Sequence, residues 1–250
     1  MAKLDVQQFK RELYGCEGAV YDLDKTLVDG RVAQGFGEAF LLEELWGGHL
    51  SHVWLGIRNY REALRRAKEQ GEVAGLEYFI GVIAQTGCAT RSMFSSIANR
   101  YIYDHRLPGA EQFLDYMNRV HHLKSFISTL GTDLSADVAA RFYKCADSIG
   151  NPFLYEEEIN FDPGADGVIS GVHLIMKNGE ERLGRTEEML RKYGLSVAQC
   201  LVVGNDINDH PMMDASGLSA ASPLADESTI EKADMWIPHY QRFLKELKDA

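Results

Sequence analysis

Two carboxylates stand two positions apart in Asp22-Leu23-Asp24-Lys25-Thr26, directly after the apolar run Ala19-Val20-Tyr21. Like charges that close repel, so one of them takes up a proton or both share a cation. Strand side chains alternate between faces, so the two Asp side chains share a side only if the strand continues past Asp22. If it ends there, Asp24 can turn its backbone carbonyl to a metal and its side chain to a substrate. The pair then offers a nucleophile, a general acid/base and an oxygen-donor metal site within one turn. The competing reading is an Asp-rich loop whose carboxylates are solvated or cap a helix.

Other elements must bring partners to these groups. Short apolar runs bounded by turn residues recur at Phe126-Ile127-Ser128-Thr129 and Leu201-Val202-Val203-Gly204-Asn205-Asp206. Each suits a buried parallel strand. Amphipathic helical stretches, such as Ala110 to Val120 and Thr186 to Tyr193, lie between and around them. The alternation predicts an α/β fold with an open parallel sheet, which binds ligands at the carboxyl ends of its strands. Asp22 and Asp24, Ser128, and Asn205 to Asp209 all fall at such ends.

In this order the residues resemble the haloacid-dehalogenase-like superfamily of phosphatases. Asp22-Leu23-Asp24-Lys25-Thr26 matches its first motif, Ser128 its second, and Gly204-Asn205-Asp206-Ile207-Asn208-Asp209 its fourth. Leu107-Pro108-Gly109-Ala110 resembles the family's lead-in to the helix before motif two. His210 to Ala215 and Glu231 to Asp234 resemble the segments after motif four. The resemblance implies a Rossmann-like, doubly wound parallel sheet as the core, over 1–28 and 106–250. It implies that Asp22 attacks phosphorus and becomes an aspartyl phosphate, that Asp24 protonates the leaving alkoxide and then activates water, and that Ser128 donates to the phosphoryl oxygens. The implied cofactor is Mg²⁺, with Asp22, Asp24, Asn205, Asp206 and Asp209 as its candidate ligands.

Two positions depart from the family pattern. Its third motif is usually a Lys at the start of the helix before motif four. Here we assign Arg185 to that role, with Lys177 and Arg182 as alternatives from the same segment. Asn205 stands where the family often has a metal-binding Asp. An amide oxygen can bind Mg²⁺ but brings no charge to it, so weak metal affinity is expected.

Residues 29–105 exceed what the sheet requires. Apolar residues at helical spacing (Phe36/Ala39/Phe40, Tyr60/Ala63/Leu64/Ala67, Leu76/Phe79/Ile80/Ile83 and Phe94/Ile97/Ala98/Tyr101) predict helices. The segment resembles the all-helical cap that many superfamily members insert here. By layout the chain is similar to the phosphoserine-phosphatase-like group, and Asp166-Gly167 reads as the turn of a β-hairpin. That group places a Glu shortly after motif one, where this chain has Arg31. An Arg facing the substrate favours a second anionic group over an ammonium. Arg31 and Thr129 are therefore the expected substrate-binding residues. Arg58, Arg61 and Arg65 share a helix face that reads as solvated and paired with Glu62 and Glu69.

Composition fits this picture. A chain of 250 residues with 45% apolar content can bury a core and carry an insertion. A net charge of −11 argues against a nucleic-acid surface. Cys16, Cys88, Cys145 and Cys200 lack the spacing of a disulfide framework or metal site, so reduced thiols are expected. Trp46, Trp54 and Trp236 read as core residues, and Tyr240 to Lys248 as a closing helix. No apolar run approaches the roughly 20 residues of a membrane span, and no secretory leader is visible. The expectation is a cytoplasmic hydrolase of a small phosphorylated metabolite. Phosphoryl transfer to another acceptor and a non-catalytic binding protein of the same fold are the alternatives.

Overall fold

Six parallel strands form the central sheet: β1 (Gly18–Tyr21), β2 (Lys124–Thr132), β3 (Asp147–Asn151), β6 (Cys200–Gly204), β7 (Leu218–Ala221) and β8 (Met235–Trp236). Their spatial order is β3-β2-β1-β6-β7-β8. The computed structural model describes residues 3–33, 35–37, 50–85, 89–155 and 167–250; residues 50–58 and 72 are described by backbone alone. β4 (Phe153–Tyr155) and β5 (Ile169–Val172) form a separate antiparallel pair.

Burial on both faces explains the unbroken apolar runs. On β1, Ala19 and Tyr21 point into one core with Ile127, Leu201 and Val203, while Val20 points into the other with Phe126, Cys200 and Val202. The first core is closed by α1 (Val6–Leu13), α5 (Ala110–Val120) and α6 (Asp133–Tyr143), together with the terminal α10 (Tyr240–Asp249). Phe113 of α5 packs at once against Tyr240, Phe243 and Tyr21. The second core is closed by α7 (Gly179–Arg191) and α8 (His210–Ala215), through Met189, Leu190, Met212 and Met213. Beyond β7, α9 (Glu227–Lys232) opens on the N-cap Asp226. The fold is thus α/β and Rossmann-like.

Between β1 and α5 the described elements are helices: α2 (Leu50–Gln70), α3 (Glu72–Ala84) and α4 (Arg91–His105). α2 and α3 pack closely because Gly75 leaves room; a Cβ there would meet the Ala63 carbonyl and the Ala67 Cβ at 2.7 Å. The apolar residues of these helices (Ala63, Leu76, Phe79, Phe94, Ile102) belong to the same continuous cluster as Ala19 and Phe113.

Several expectations are corrected. β2 does not end at Ser128 but runs to Thr132, its register against β3 shifting between Ser128 and Thr132. Ile169–Val172 pairs not across a tight Asp166-Gly167 turn but with Phe153–Tyr155, leaving residues 156–168 between the strands. The helix expected from Thr186 begins seven residues earlier, at Gly179, where Asn178 caps it. Trp236 is 44% exposed because β8 is the sheet's edge strand. Ala39, Phe40, Trp46, Cys88 and Asp166 lie outside the described residues, as do the side chains of Trp54 and Arg58. Arg65 pairs with Glu62 and Glu69, as the solvated-face reading expects. Cys16, Cys145 and Cys200 are free thiols.

Candidate active site

Strand order reverses between β1 and β6, and a crevice opens outside the carboxyl ends of such a pair. Asp22 sits there. Its backbone N–H donates to the Val203 carbonyl at 3.0 Å, so β1 is paired up to Asp22, and the chain then turns away. The turn is held at successive carbonyls. The Ser222 hydroxyl donates to Lys25 O (3.1 Å), Tyr240 to Thr26 O (2.9 Å) and Tyr143 to Leu27 O (3.0 Å). Lys25 adopts the left-handed φ of 57° that the turn requires. With the strand ended, the two carboxylates diverge. Asp22 stays 6% exposed on the cleft floor, and Asp24 Oδ1 accepts from the Val32 N–H at 2.9 Å. The Asp24 backbone carbonyl turns inward, 2.9 Å from the Asn205 amide.

The cation of the cluster is Arg182. It is 2% exposed and forks between two carboxylates, Nη2 to Asp22 Oδ1 (2.9 Å) and Nη1 to Asp209 Oδ1 (2.8 Å). Its Nε donates to Ser128 Oγ at 3.1 Å and Nη2 also to the Ser128 carbonyl. The structure does not bring Arg185 here. That residue lies on the outer face of α7, its side chain 44% exposed and paired with Glu188 at 2.8 Å. Helical periodicity explains it: Arg182, Thr186, Met189 and Leu190 define the buried face, and Arg185 falls beside it. Lys177 precedes the helix and is exposed.

Burial first, and then the neighbouring Asp209, push the Asp22 carboxyl above the ordinary carboxylate range, with Arg182 opposing. Burial likewise raises Asp209, again against Arg182. For Arg182, burial disfavours the charge and the two carboxylates more than restore it. Two carboxylates against one guanidinium leave the buried cluster one negative charge in excess, a deficit that a proton or a cation makes good.

Asn205 faces the opening between these groups. Its amide nitrogen meets two acceptors, Asp22 Oδ2 and the Asp24 carbonyl, each at 2.9 Å, and Thr26 Oγ1 at 3.2 Å. The surroundings fix this orientation, since the amide oxygen would otherwise face lone pairs. Turned about, the oxygen would stand 2.9 Å from each of two further hard donors, Asp22 Oδ2 and the Asp24 carbonyl. That is the edge of an octahedron with roughly 2.1 Å metal–oxygen bonds, so the donor set fits Mg²⁺. Among the described residues no cluster of three or more His, Cys, Asp and Glu side chains is placed to hold a metal. The fit therefore rests on one carboxylate, one amide and one backbone carbonyl.

The remaining predicted ligands have other partners. Asp209 Oδ2 accepts from the backbone N–H of Asn205 (2.6 Å) and Asp206 (3.2 Å), and its other oxygen holds Arg182. Gly204 makes this possible, because a Cβ there would collide with the Asp209 carboxyl group. Asp206 caps the next turn through the Asn208 N–H at 2.8 Å and lines the cleft.

Ser128 is placed differently from expectation. It is fully buried, its hydroxyl within 2.8 Å of Thr186 and accepting from Arg182, and it steadies the guanidinium from behind. Thr129, with Leu130 and Gly131, lines the cleft in its place, and Arg31 and Lys25 line it from the loop after β1. Asn151, which sequence reasoning passed over, organises this side. Its amide donates to Leu130 O (2.8 Å) and Met176 O (3.0 Å) and accepts from the N–H of Ile175 (2.9 Å) and Met176 (2.8 Å). It ties the end of β2 to the segment that launches α7. The cavity above the cluster measures about 130 Å³.

Fold, strand order and acidic floor together place a buried acidic cluster at the switch point of an open α/β sheet. A sequence model of the haloacid dehalogenase-like hydrolases matches residues 19–214, and the chain belongs to that family. Among solved structures it is similar to a phosphoserine phosphatase carrying a phospho-aspartyl intermediate analogue (15% identity, TM-score 0.65, 93% of this chain and 99% of that one). It is similar to a HAD family hydrolase from Salmonella enterica serovar Typhi (14%, TM-score 0.65, 90% and 68%). A probable phosphoserine phosphatase from Vibrio cholerae is a third (16%, TM-score 0.60, 95% and 68%). Among curated proteins, no sequence matches the chain.

Proposed function

We propose that this chain is a Mg²⁺-dependent phosphomonoester hydrolase that works through an aspartyl phosphate on Asp22 and acts on a small phosphorylated metabolite in the cytoplasm. The observation that carries the reading is the Asp22–Arg182–Asp209 cluster on the floor of a cleft, with a second carboxylate, Asp24, turned away from it. Residues 29–105 act as the cap, and 1–28 with 106–250 as the core.

Asp22 attacks phosphorus through a carboxylate oxygen while the ester P–O bond breaks, and the Asp24 carboxyl passes its proton to the departing alkoxide. Asp24, now ionised, takes a proton from water as the water oxygen attacks phosphorus. The Asp22–phosphorus bond then breaks and inorganic phosphate leaves. Arg182 opposes the protonation of Asp22 and aims it, and it offsets the charge of the phosphoryl group. Thr129 and Arg31 bind the phosphoryl oxygens from the cleft wall. Asp22, the Asp24 carbonyl and Asn205, its amide turned, would hold Mg²⁺, with Asp206 beside them, and the ion would supply positive charge to offset that of the phosphoryl group.

Hydrolysis of p-nitrophenyl phosphate with and without Mg²⁺, by the native protein and by Asp22→Asn, tests the reading. Metal-dependent nitrophenol release that disappears in Asp22→Asn is expected. Activity that survives in Asp22→Asn assigns the nucleophile elsewhere. A folded native protein inert with every divalent ion points to a binding protein, a role that the metal-free satisfaction of Asn205 would suit.

A further inference from the structure

The cleft above Asp22 is divided sharply by chemistry. Its charged lining residues (Asp22, Asp24, Lys25, Arg31, Arg182 and Asp206) all come from the sheet's carboxyl edge, the loop after β1 and α7. The opposite wall belongs to α2 and α3, and among the described residues it contains Ala63, Leu64, Ala67, Val73, Leu76 and Phe79, with the Tyr60 ring. None of these carries a formal charge. Tyr60 and Phe79 meet edge to face at 6.0 Å, which fixes both rings in the wall. Leu64 is 52% exposed at the mouth, an apolar side chain left facing water.

A substrate spanning such a cleft needs a matching division. Its phosphoryl group meets the cations and donors of the floor. The rest of it faces α2 and α3, where the lining side chains among the described residues offer no charged partner for an ammonium or carboxylate that loses its hydration. From this division we propose that the substrate is a phosphate monoester of an apolar alcohol, with a short alkyl or aryl group seated against α2 and α3. This deepens the phosphomonoesterase reading and rests on it for the chemistry at the floor. It also revises the expectation from Arg31 of a second anionic group. Arg31 lies on the charged side, where one phosphoryl group suffices to engage it.

Alkylphosphonates test the wall without requiring turnover. Calorimetric titration of the native protein with methyl-, ethyl-, propyl- and butylphosphonate should show affinity rising about fourfold per buried methylene until the cavity is full. 2-Aminoethylphosphonate and 3-phosphonopropionate should bind at least tenfold more weakly than butylphosphonate. Ala67→Asp, at a partly buried position of α2 that lines the cleft, should flatten the alkyl series and favour the aminoethyl ligand. A flat series in the native protein, tighter binding of either polar-tailed ligand, or no binding of any phosphonate overturns the proposal. The two readings fail separately. A rising alkyl series without p-nitrophenyl phosphate hydrolysis keeps the apolar seat and loses the phosphatase. Hydrolysis with a flat series does the reverse.

Discussion

Arg182 and Arg185 are three residues apart on one helix, and the difference between them is burial. Removing the Arg182 side chain leaves Asp22 and Asp209 facing each other without their cation. Breaking a buried pair in this way costs about 3–5 kcal/mol. Arg182→Ala should therefore lower the urea midpoint sharply, while Arg185→Ala, at a solvated pair with Glu188, should stay within about 0.5 kcal/mol of the native protein. Asn205→Asp should act in the opposite sense on metal and on fold. A carboxylate at that place would put further oxygen lone pairs against Asp22 Oδ2 and the Asp24 carbonyl, which now accept from an amide. The metal-free variant should melt at lower temperature than the native protein and bind Mg²⁺ at least tenfold more tightly by calorimetry. Asp22 and Asp24 were legible because a strand followed by a turn determines where each must point. Arg182 was legible only from the helix start. Asn178 caps α7 there, and helical spacing back from Met189 and Leu190 puts Arg182 on the buried face. Ser128 was misplaced because the sequence does not show how far a guanidinium reaches across a cleft.

At the level of elements, the loop after β1 owes its shape to distant parts of the chain. α10 supplies Tyr240 for Thr26 O, and α6 supplies Tyr143 for Leu27 O. Tyr240→Phe keeps the ring packed on Phe113 and leaves a buried carbonyl without its donor, which costs about 1–3 kcal/mol. Denaturant unfolding should show that loss, and turnover should fall with it, because Asp24 follows the loop. The α10 pattern was plain in the sequence, since Phe243, Leu244 and Leu247 share one face. Its hydroxyl contact was not, because a tyrosine in an amphipathic stripe looks like any other core residue. The strand–helix alternation of the core was likewise readable, whereas β3 was missed: Asp147-Ser148-Ile149-Gly150-Asn151 lacks an apolar run and is a strand only because β2 lies beside it.

Over the whole molecule, one apolar cluster runs from α1 and α10 through the sheet to Phe79, Phe94 and Ile102. α4 packs on α6, and Phe94 meets Phe153 at 5.4 Å, so the helical segment shares its interior with the sheet. Scanning calorimetry should then record one transition, its calorimetric and van't Hoff enthalpies equal; two separated transitions would show that residues 29–105 unfold on their own. Amphipathic spacing in this segment shows that helical faces are buried and not against what, so the packing of α4 on α6 was not legible. The apolar wall that the described residues of α2 and α3 form has one more effect. A surface that welcomes a hydrocarbon group as an ester keeps hold of it as a free alcohol. On the proposed reading, the alcohol product keeps the apolar contacts of the ester after the P–O bond is cut. The organic product should therefore compete with the next substrate molecule, and enzyme flux would then answer to how quickly the surroundings carry that alcohol away.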